Sequence, residues 1–355
     1  MSIAHGIRRP DLDFGLAIPL ETSPMEAVSA ESLPDEAGWQ YEPKWDGFRC
    51  LAFRNNSEVK LRAKSGKPLG RYFPEVVDLL RSLPHDRFVL DGELVIGSEE
   101  GLSFDALQTR LHPAASRIKK LAVETPATLI VFDLLVDGTG RSLMDRPLEE
   151  RRRRLEAFVE PLASERLVLS PYTRDRITAE RWLAGAGGAI DGVVAKRVEE
   201  PYHPGERAMV KVKLLRSADC VVGGFRYSRN GRQVGSLLLG LYDEAGLLHH
   251  VGFTATLTDA ERPALTERLE ALRAEPGFTG RSPGGPSRWS DERSGDWEPL
   301  KPELVVEVRF DHVTGDRFRH GTKLLRWRPD KAPSACTLAQ IAGVANLATP
   351  ADVEG

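Results

Sequence analysis

The chain has 355 residues, of which 41% are apolar and 28% charged, and its formal net charge is -3. No apolar run approaches the roughly 18 residues a membrane-spanning helix needs, Met1 to Pro10 lacks the apolar core of a secretory signal, and the slight negative charge argues against a general polyanion binder without excluding local basic stripes. The widely separated Cys50, Cys220 and Cys336 offer neither a disulfide framework nor a CxxC zinc site, and they point to a reducing cytoplasm.

The length suits two domains. Residues 1–39, rich in Pro, Glu and Ser, read as an irregular lead-in with a short helix around Met25 to Ala30. Phe48 to Phe53 alternates, and after the polar turn Asn55-Asn56-Ser57 the run Val59 to Arg62 completes a hairpin. Phe73 to Leu83 places Val76, Leu79, Leu80 and Leu83 at helical spacing and stops at Pro84. A strand over Arg87 to Ile96, a short helix over Leu102 to Leu111 and a buried strand over Leu129 to Val136 follow. Pro147 to Val159 opens with proline at a helix start. Its run Arg151-Arg152-Arg153-Arg154, beside Glu149 and Glu150, reads as a solvated face with partial ion pairing. Strands over Ile190 to Arg197 and Met209 to Leu214 close this half.

The pattern then changes to short, even strands with glycine turns: Cys220 to Tyr227, Gly235 to Tyr242, Leu247 to Thr254 and, later, Leu304 to Phe310. A helix is expected over Asp259 to Ala274, and Gly280 to Trp297 reads as a loop. The module suggests a small β-barrel, with an OB-fold as the leading candidate. The expected organisation is α+β, with a first domain over 1–215, a second over 216–340 and a tail over 341–355.

Several residues with chemistry fall on these strands in a fixed order. They are Lys44 in Glu42-Pro43-Lys44-Trp45-Asp46-Gly47-Phe48-Arg49, Glu93 in Asp91-Gly92-Glu93, Phe132 before Asp133, Asp191 in Asp191-Gly192-Val193-Val194-Ala195-Lys196, and the pair Lys211 and Lys213. Singly each has a bland reading: Lys44 as a turn lysine, Phe132 as core, Lys211-Val212-Lys213 as an exposed edge. A lysine nucleophile needs help, because at an ordinary pKa of about 10.4 roughly one molecule in a thousand is neutral near pH 7.5. Lys211 and Lys213, two apart on one strand, share a face and can bring positive charge to one site.

With these runs and the terminal Arg319-His320-Gly321-Thr322-Lys323-Leu324-Leu325-Arg326-Trp327-Arg328-Pro329-Asp330-Lys331, the chain resembles ATP-dependent DNA ligases of the covalent nucleotidyltransferase superfamily, closest to the bacterial ligase C group. The likeness runs from about Pro19 to Lys331. It implies an adenylation (nucleotidyltransferase, ATP-grasp-like) domain followed by the OB-fold. By that likeness Lys44 attacks the α-phosphorus of ATP to give lysyl-AMP, AMP passes to the 5′-phosphate of a nick, and the 3′-hydroxyl displaces it. Phe132 would stack on adenine, Glu42 contact the base, Glu93 the ribose, and Lys211 and Lys213 the α-phosphate. Arg49 would meet the nucleotide or the nick. Asp191 would hold a divalent ion, Mg²⁺ or alternatively Mn²⁺. Arg326, Arg328, Asp330 and Lys331 would orient pyrophosphate. Nicked duplex DNA is the implied substrate and a small repair primase-polymerase the implied partner, in a cytoplasmic, nucleoid-associated setting.

Two departures from the family pattern stand out. Ala63-Lys64-Ser65-Gly66 occupies the place where Ser-Arg-Asn-Gly is common, so Lys64 meets the nick phosphate as a point charge without arginine's fork. Ser228-Arg229-Asn230-Gly231 matches that motif literally but lies after the last nucleotidyltransferase motif and reads as a hairpin turn. Arg226, Arg229 and Arg232 become DNA-backbone candidates. The second departure is aspartate at 191 where many relatives carry glutamate. A capping guanylyltransferase, an RNA ligase, a NAD-dependent ligase and a catalytically dead nucleic-acid binder are the rival readings.

Overall fold

The computed structural model describes residues 14–98, 101–186, 190–228, 231–284 and 296–342, and the chain divides after Lys213 into two units. In the first, the longer strands run in chain order β1 (Ala27–Ala30), β2 (Trp39–Trp45), β3 (Phe48–Asn55), β4 (Glu58–Ala63), β5 (Arg87–Val95), β6 (Thr128–Val136), β7 (Leu167–Leu169), β8 (Ile190–Arg197) and β9 (Met209–Lys213). They form two sheets, one in the order β1-β9-β8-β2 and the other β4-β3-β5-β6-β7. The tight turn at Asn56-Ser57 makes β3 and β4 a hairpin. The nine-residue run of β6 is almost wholly buried, as an apolar central strand must be.

The helices of this unit are α1 (Pro74–Ser82), α2 (Phe104–Arg110), α3 (Ala115–Glu124), α4 (Leu148–Val159) and α5 (Arg176–Ala184). Helix α1 buries Val76 and Leu80 against a core that includes Phe73, Phe88, Leu90 and Leu129. Helix α3 is absent from the sequence reading because only Ile118 and Ala122 of its ten residues are buried, too few to raise a helical period.

Two expectations are corrected here. Met25 to Ala30 holds no helix: Ala27–Ala30 is a strand lying parallel to β9, with Ala27 opposite Met209 and Ala30 opposite Val212. A segment this short cannot sustain a helix alone, and the edge of β9 offers it a ladder. The arginine run of α4 is also not a solvated face. Arg151 and Arg152 are buried, and Arg151 forks onto the buried Asp133 of β6 at 2.8 and 3.0 Å. Only Arg154, paired with Glu150 at 2.9 Å, behaves as an exposed i,i+4 partner.

The second unit holds β10 (Arg216–Tyr227), β11 (Val234–Tyr242), β12 (Leu248–Thr254), α6 (Arg262–Glu270), β13 (Val305–Phe310) and β14 (Lys323–Trp327). Its main sheet runs β12-β11-β10-β13-β14 around a core of Phe225, Leu237, Leu239, Val251, Val306 and Val308. Among the described residues these ladders follow one path from β12 to β14, and no closed barrel is formed by them. Thr254, the last residue of β12, bridges to Thr322 just before β14, and the Leu324 N–H donates to the Thr256 hydroxyl at 2.8 Å. The Thr254 hydroxyl donates to the Thr322 carbonyl at 3.0 Å and marks the seam. The expected loop over Gly280 to Trp297 falls partly outside the described residues. Among the described residues, no helix is long and apolar enough to cross a membrane.

Candidate active site

Lys44 is the penultimate residue of β2, where the chain leaves one sheet of the first unit for the other. The crossing takes two residues, Asp46 and Gly47. A Cβ at Gly47 would stand 2.2 Å from the Leu94 carbonyl oxygen and 2.8 Å from Glu93 Cγ, so only glycine fits between the sheets here. Alternation along β2 puts Gln40, Glu42 and Lys44 on one face. A cleft of about 1150 Å³ opens over that face. It is lined by Glu42, Lys44, Lys196 and Lys211 from one sheet and by Arg49, Glu93 and Phe132 from the other.

Register brings the charges together. Lys44 and Lys213 both lie opposite Gly192 of β8, one on each side. A Cβ at Gly192 would come within 2.1 Å of the Val212 carbonyl oxygen, so glycine lets the three strands close up. The pairing of β8 with β2 jumps from Ile190–Trp45 to Gly192–Lys44, which leaves Asp191 as the extra residue of a bulge. A bulge re-aims a side chain. The Asp191 carboxylate thereby reaches Lys44 Nζ at 2.9 Å and Lys213 Nζ at 3.1 Å. Burial pushes that carboxyl up, but the two ammonium groups outweigh it and hold it below the usual aspartate range. Lys211 faces the cleft in the next row, opposite Val194 and Ser29. Burial, and then repulsion from Lys44 and Lys213, pull its ammonium below the ordinary lysine range.

On the facing sheet, burial raises the Glu93 carboxyl to about 8 against the opposing pull of Arg49 and Lys44. Arg49 is not a free ligand-seeking cation. It forks onto the fully buried Asp91 at 2.6 and 2.7 Å, and the Tyr202 hydroxyl donates to the same carboxylate at 2.6 Å. Its guanidinium lies 4.6 Å from the centroid of the Phe132 ring, while Lys196 Nζ lies 4.7 Å from it. Phe132 is 7% exposed, with both cations against its ring. Lys196 also meets Glu42 at 2.6 Å, and Gln40 Nε2 donates to the other Glu42 oxygen at 2.9 Å. At the rim, the half-exposed Lys64 pairs with Glu26 at 3.0 Å. Any phosphate must compete with that carboxylate for it.

Two family models match the chain, one described as the ATP dependent DNA ligase domain over residues 23–213 and one as the ATP dependent DNA ligase C terminal region over 230–331. The chain belongs to the ATP-dependent DNA ligase family. It is 46% identical over 342 residues to DNA ligase C1 of Mycolicibacterium smegmatis, covering 93% of this chain and 96% of that one. It is 43% identical over 337 residues to DNA ligase C of Mycobacterium tuberculosis, covering 90% and 93%. Among solved structures, a Lig E DNA ligase shares the fold at 16% identity and a TM-score of 0.53, covering 86% of this chain and 99% of that one.

In this ligase the basic residues of the C-terminal region are engaged with acids of their own unit. Arg326 meets Glu307 at 2.7 Å, Arg328 meets Asp219 and Asp330 at 2.8 Å each, and Lys331 meets Asp219 at 3.5 Å. Arg232 lies 5.7 Å from the Tyr227 ring centroid, Arg226 is the half-buried penultimate residue of β10, and Arg229 lies outside the described residues. Sequence reasoning found every cleft residue named above except Gln40, Asp91, Lys196, Tyr202 and Glu26, to which it gave no role. Asp91 and Lys196 stood inside quoted motifs. The signal for them was charge at a position that alternation buries.

Proposed function

We infer that the cleft carries out the first chemical step of nick sealing, with Lys44 as the nucleophile. The observation that carries this is a cleft lined by Lys44 and Lys211 together with an aromatic ring and the carboxyls of Glu42 and Glu93, with Lys213 joined to Lys44 through Asp191. To react, Lys44 parts from Asp191 and loses a proton. Its nitrogen then bonds to the α-phosphorus of ATP as the bond to the bridging oxygen breaks and pyrophosphate leaves. Lys211 and Lys213 stabilise charge that grows on the α-phosphate oxygens. Phe132 receives adenine, Glu42 its edge, and Glu93 the ribose hydroxyls. AMP then moves to the 5′-phosphate of a nick, and the 3′-hydroxyl displaces it. Arg326 and Lys331 serve the pyrophosphate-releasing step, and Lys64, Arg226, Arg229 and Arg232 the DNA backbone.

Asp191 suits a hard cation as a single protein carboxylate, with nucleotide phosphates and water completing the set, and no cluster of three metal-ligating side chains exists among the described residues. Mg²⁺ or Mn²⁺ held there would neutralise phosphate charge. The chain comprises an adenylation domain over 1–215, an OB-fold domain over 216–340 and a tail over 341–355. It acts on nicked duplex DNA in repair, in a cytoplasmic, nucleoid-associated setting, with a repair primase-polymerase as partner.

Incubation with labelled ATP and Mg²⁺ followed by a denaturing gel tests the core of this reading. One acid-labile AMP per chain is expected, with none on Lys44→Ala. An adduct that persists in that variant, or labelling by GTP in preference to ATP, would overturn it.

A further inference from the structure

Behind the cleft sits a polar side chain that the chemistry above does not use. Gln40 is completely buried, two residues before Glu42 on the same face of β2 and opposite Lys196 in the ladder. Its amide nitrogen donates to Glu42 Oε1 at 2.9 Å, while its own Oε1 is buried without a hydrogen-bond partner. The reverse amide orientation would set two acceptor oxygens face to face, so the contact with Glu42 decides it. An apolar residue of the same size would fill this space without stranding an acceptor. The orphaned oxygen therefore marks a site kept polar for what the amide nitrogen does.

What it does is fix a carboxylate. Glu42 is 2% exposed, with one oxygen held by Gln40 and the other by Lys196 at 2.6 Å. Clamped at both oxygens, the carboxylate cannot rotate, and Glu42 lines the cleft in that fixed orientation. A fixed acceptor in that place favours a base edge that offers an N–H and repels one that offers a carbonyl oxygen.

We propose that Gln40 is a positioning residue for nucleobase selectivity, acting through Glu42 to favour a 6-aminopurine over a 6-oxopurine nucleotide. This rests on the reading that Glu42 faces the base.

The test compares adduct formation on Lys44 with ATP and with inosine 5′-triphosphate, in which a 6-oxo group replaces the 6-amino group, by intact mass at several nucleotide concentrations. Wild type should prefer ATP by roughly 100-fold or more. Gln40→Leu should reduce that preference by roughly tenfold, chiefly by losing ATP use while inosine triphosphate use holds or rises. Because both nucleotides are read on one variant, general loosening lowers both together and leaves the ratio alone. An unchanged ratio in Gln40→Leu, with Glu42→Gln shifting it, overturns the role of Gln40. An unchanged ratio in Glu42→Gln overturns the placement of Glu42 at the base instead. Gln40→Met, which keeps the chain length, supplies the same comparison if Gln40→Leu gives no cooperative melt.

Discussion

Lys44 Nζ lies 2.9 Å from Asp191 Oδ1, and the contact exists because Asp191 is the extra residue in the pairing of β8 with β2. In a regular ladder its side chain would point to the face opposite that of Gly192, away from Lys44. The proposed nucleophile is therefore held by a local irregularity of the sheet, and the same carboxylate ties down Lys213.

Removing that carboxylate should do more than unsettle a loop. Asp191→Ala takes away the carboxylate that Lys44 and Lys213 share and removes the proposed metal ligand. Its rate of lysyl-AMP formation should fall by roughly 100-fold or more. Asp191→Glu should keep activity, because the longer side chain still reaches both ammonium groups. Intact mass over time separates the two, and full activity of Asp191→Ala in Mg²⁺ would place the metal elsewhere.

Glu93 predicts a pH dependence with a definite sign. Its carboxyl is raised to about 8 in the folded chain, against an ordinary 4.5. Between those values the folded state holds a proton that the unfolded chain has released, so this group lowers stability as pH rises across the window. Glu93→Gln should flatten that part of the stability profile, measured by denaturant melts from pH 5 to about pH 8.5. A slope identical in wild type and variant would show that Glu93 titrates normally.

Phe132 has two duties that one substitution cannot separate. Phe132→Ala should lose about 3 kcal/mol or more of stability as well as nucleotide affinity. Phe132→Leu keeps most of the volume and loses the ring face, so its melting should change little while ATP use weakens about fivefold, corresponding to a stacking term near 1 kcal/mol. Equal ATP use by Phe132→Leu and wild type would make the ring a core residue only.

The Asp133–Arg151 fork is structural and should behave as such. Asp133→Ala strands a buried guanidinium, and a loss of about 3–5 kcal/mol is expected by denaturant unfolding. The double change Asp133→Leu with Arg151→Met should recover most of it, since a buried pair replaced by apolar groups is often neutral. If the double variant is as unstable as the single one, the loss comes from packing and not from the stranded charge.

What could be read from the chain beforehand follows a physical divide. Alternation and turn chemistry place β3, β4, β5 and β6, and a strand's two-residue period puts Lys211 and Lys213 on one face without any coordinates. Long-range pairing is different. Nothing local in Ala27–Ala30 says that it will lie beside Met209 to Val212, because that choice is made by an edge far away in sequence. The bulge at Asp191 is equally invisible, since one extra residue in a ladder leaves no compositional trace. Buried polar partners such as Asp91 with Arg49 and Tyr202 appear as ordinary letters until two sheets are laid together.

The parallel pairing of β1 with β9 and the antiparallel pairing of β2 with β8 have a consequence for how the chain is made. As the ribosome extends it from the N-terminus, Lys44 is synthesised early, yet the strands at 190–197 and 209–213 that complete its sheet come out about 150 residues later. Until then Lys44 is an ordinary solvated lysine on an unpaired edge. On the proposed role of Lys44, a nascent ligase would not charge itself with AMP, and the reactive centre would form only when this half of the chain is fully translated.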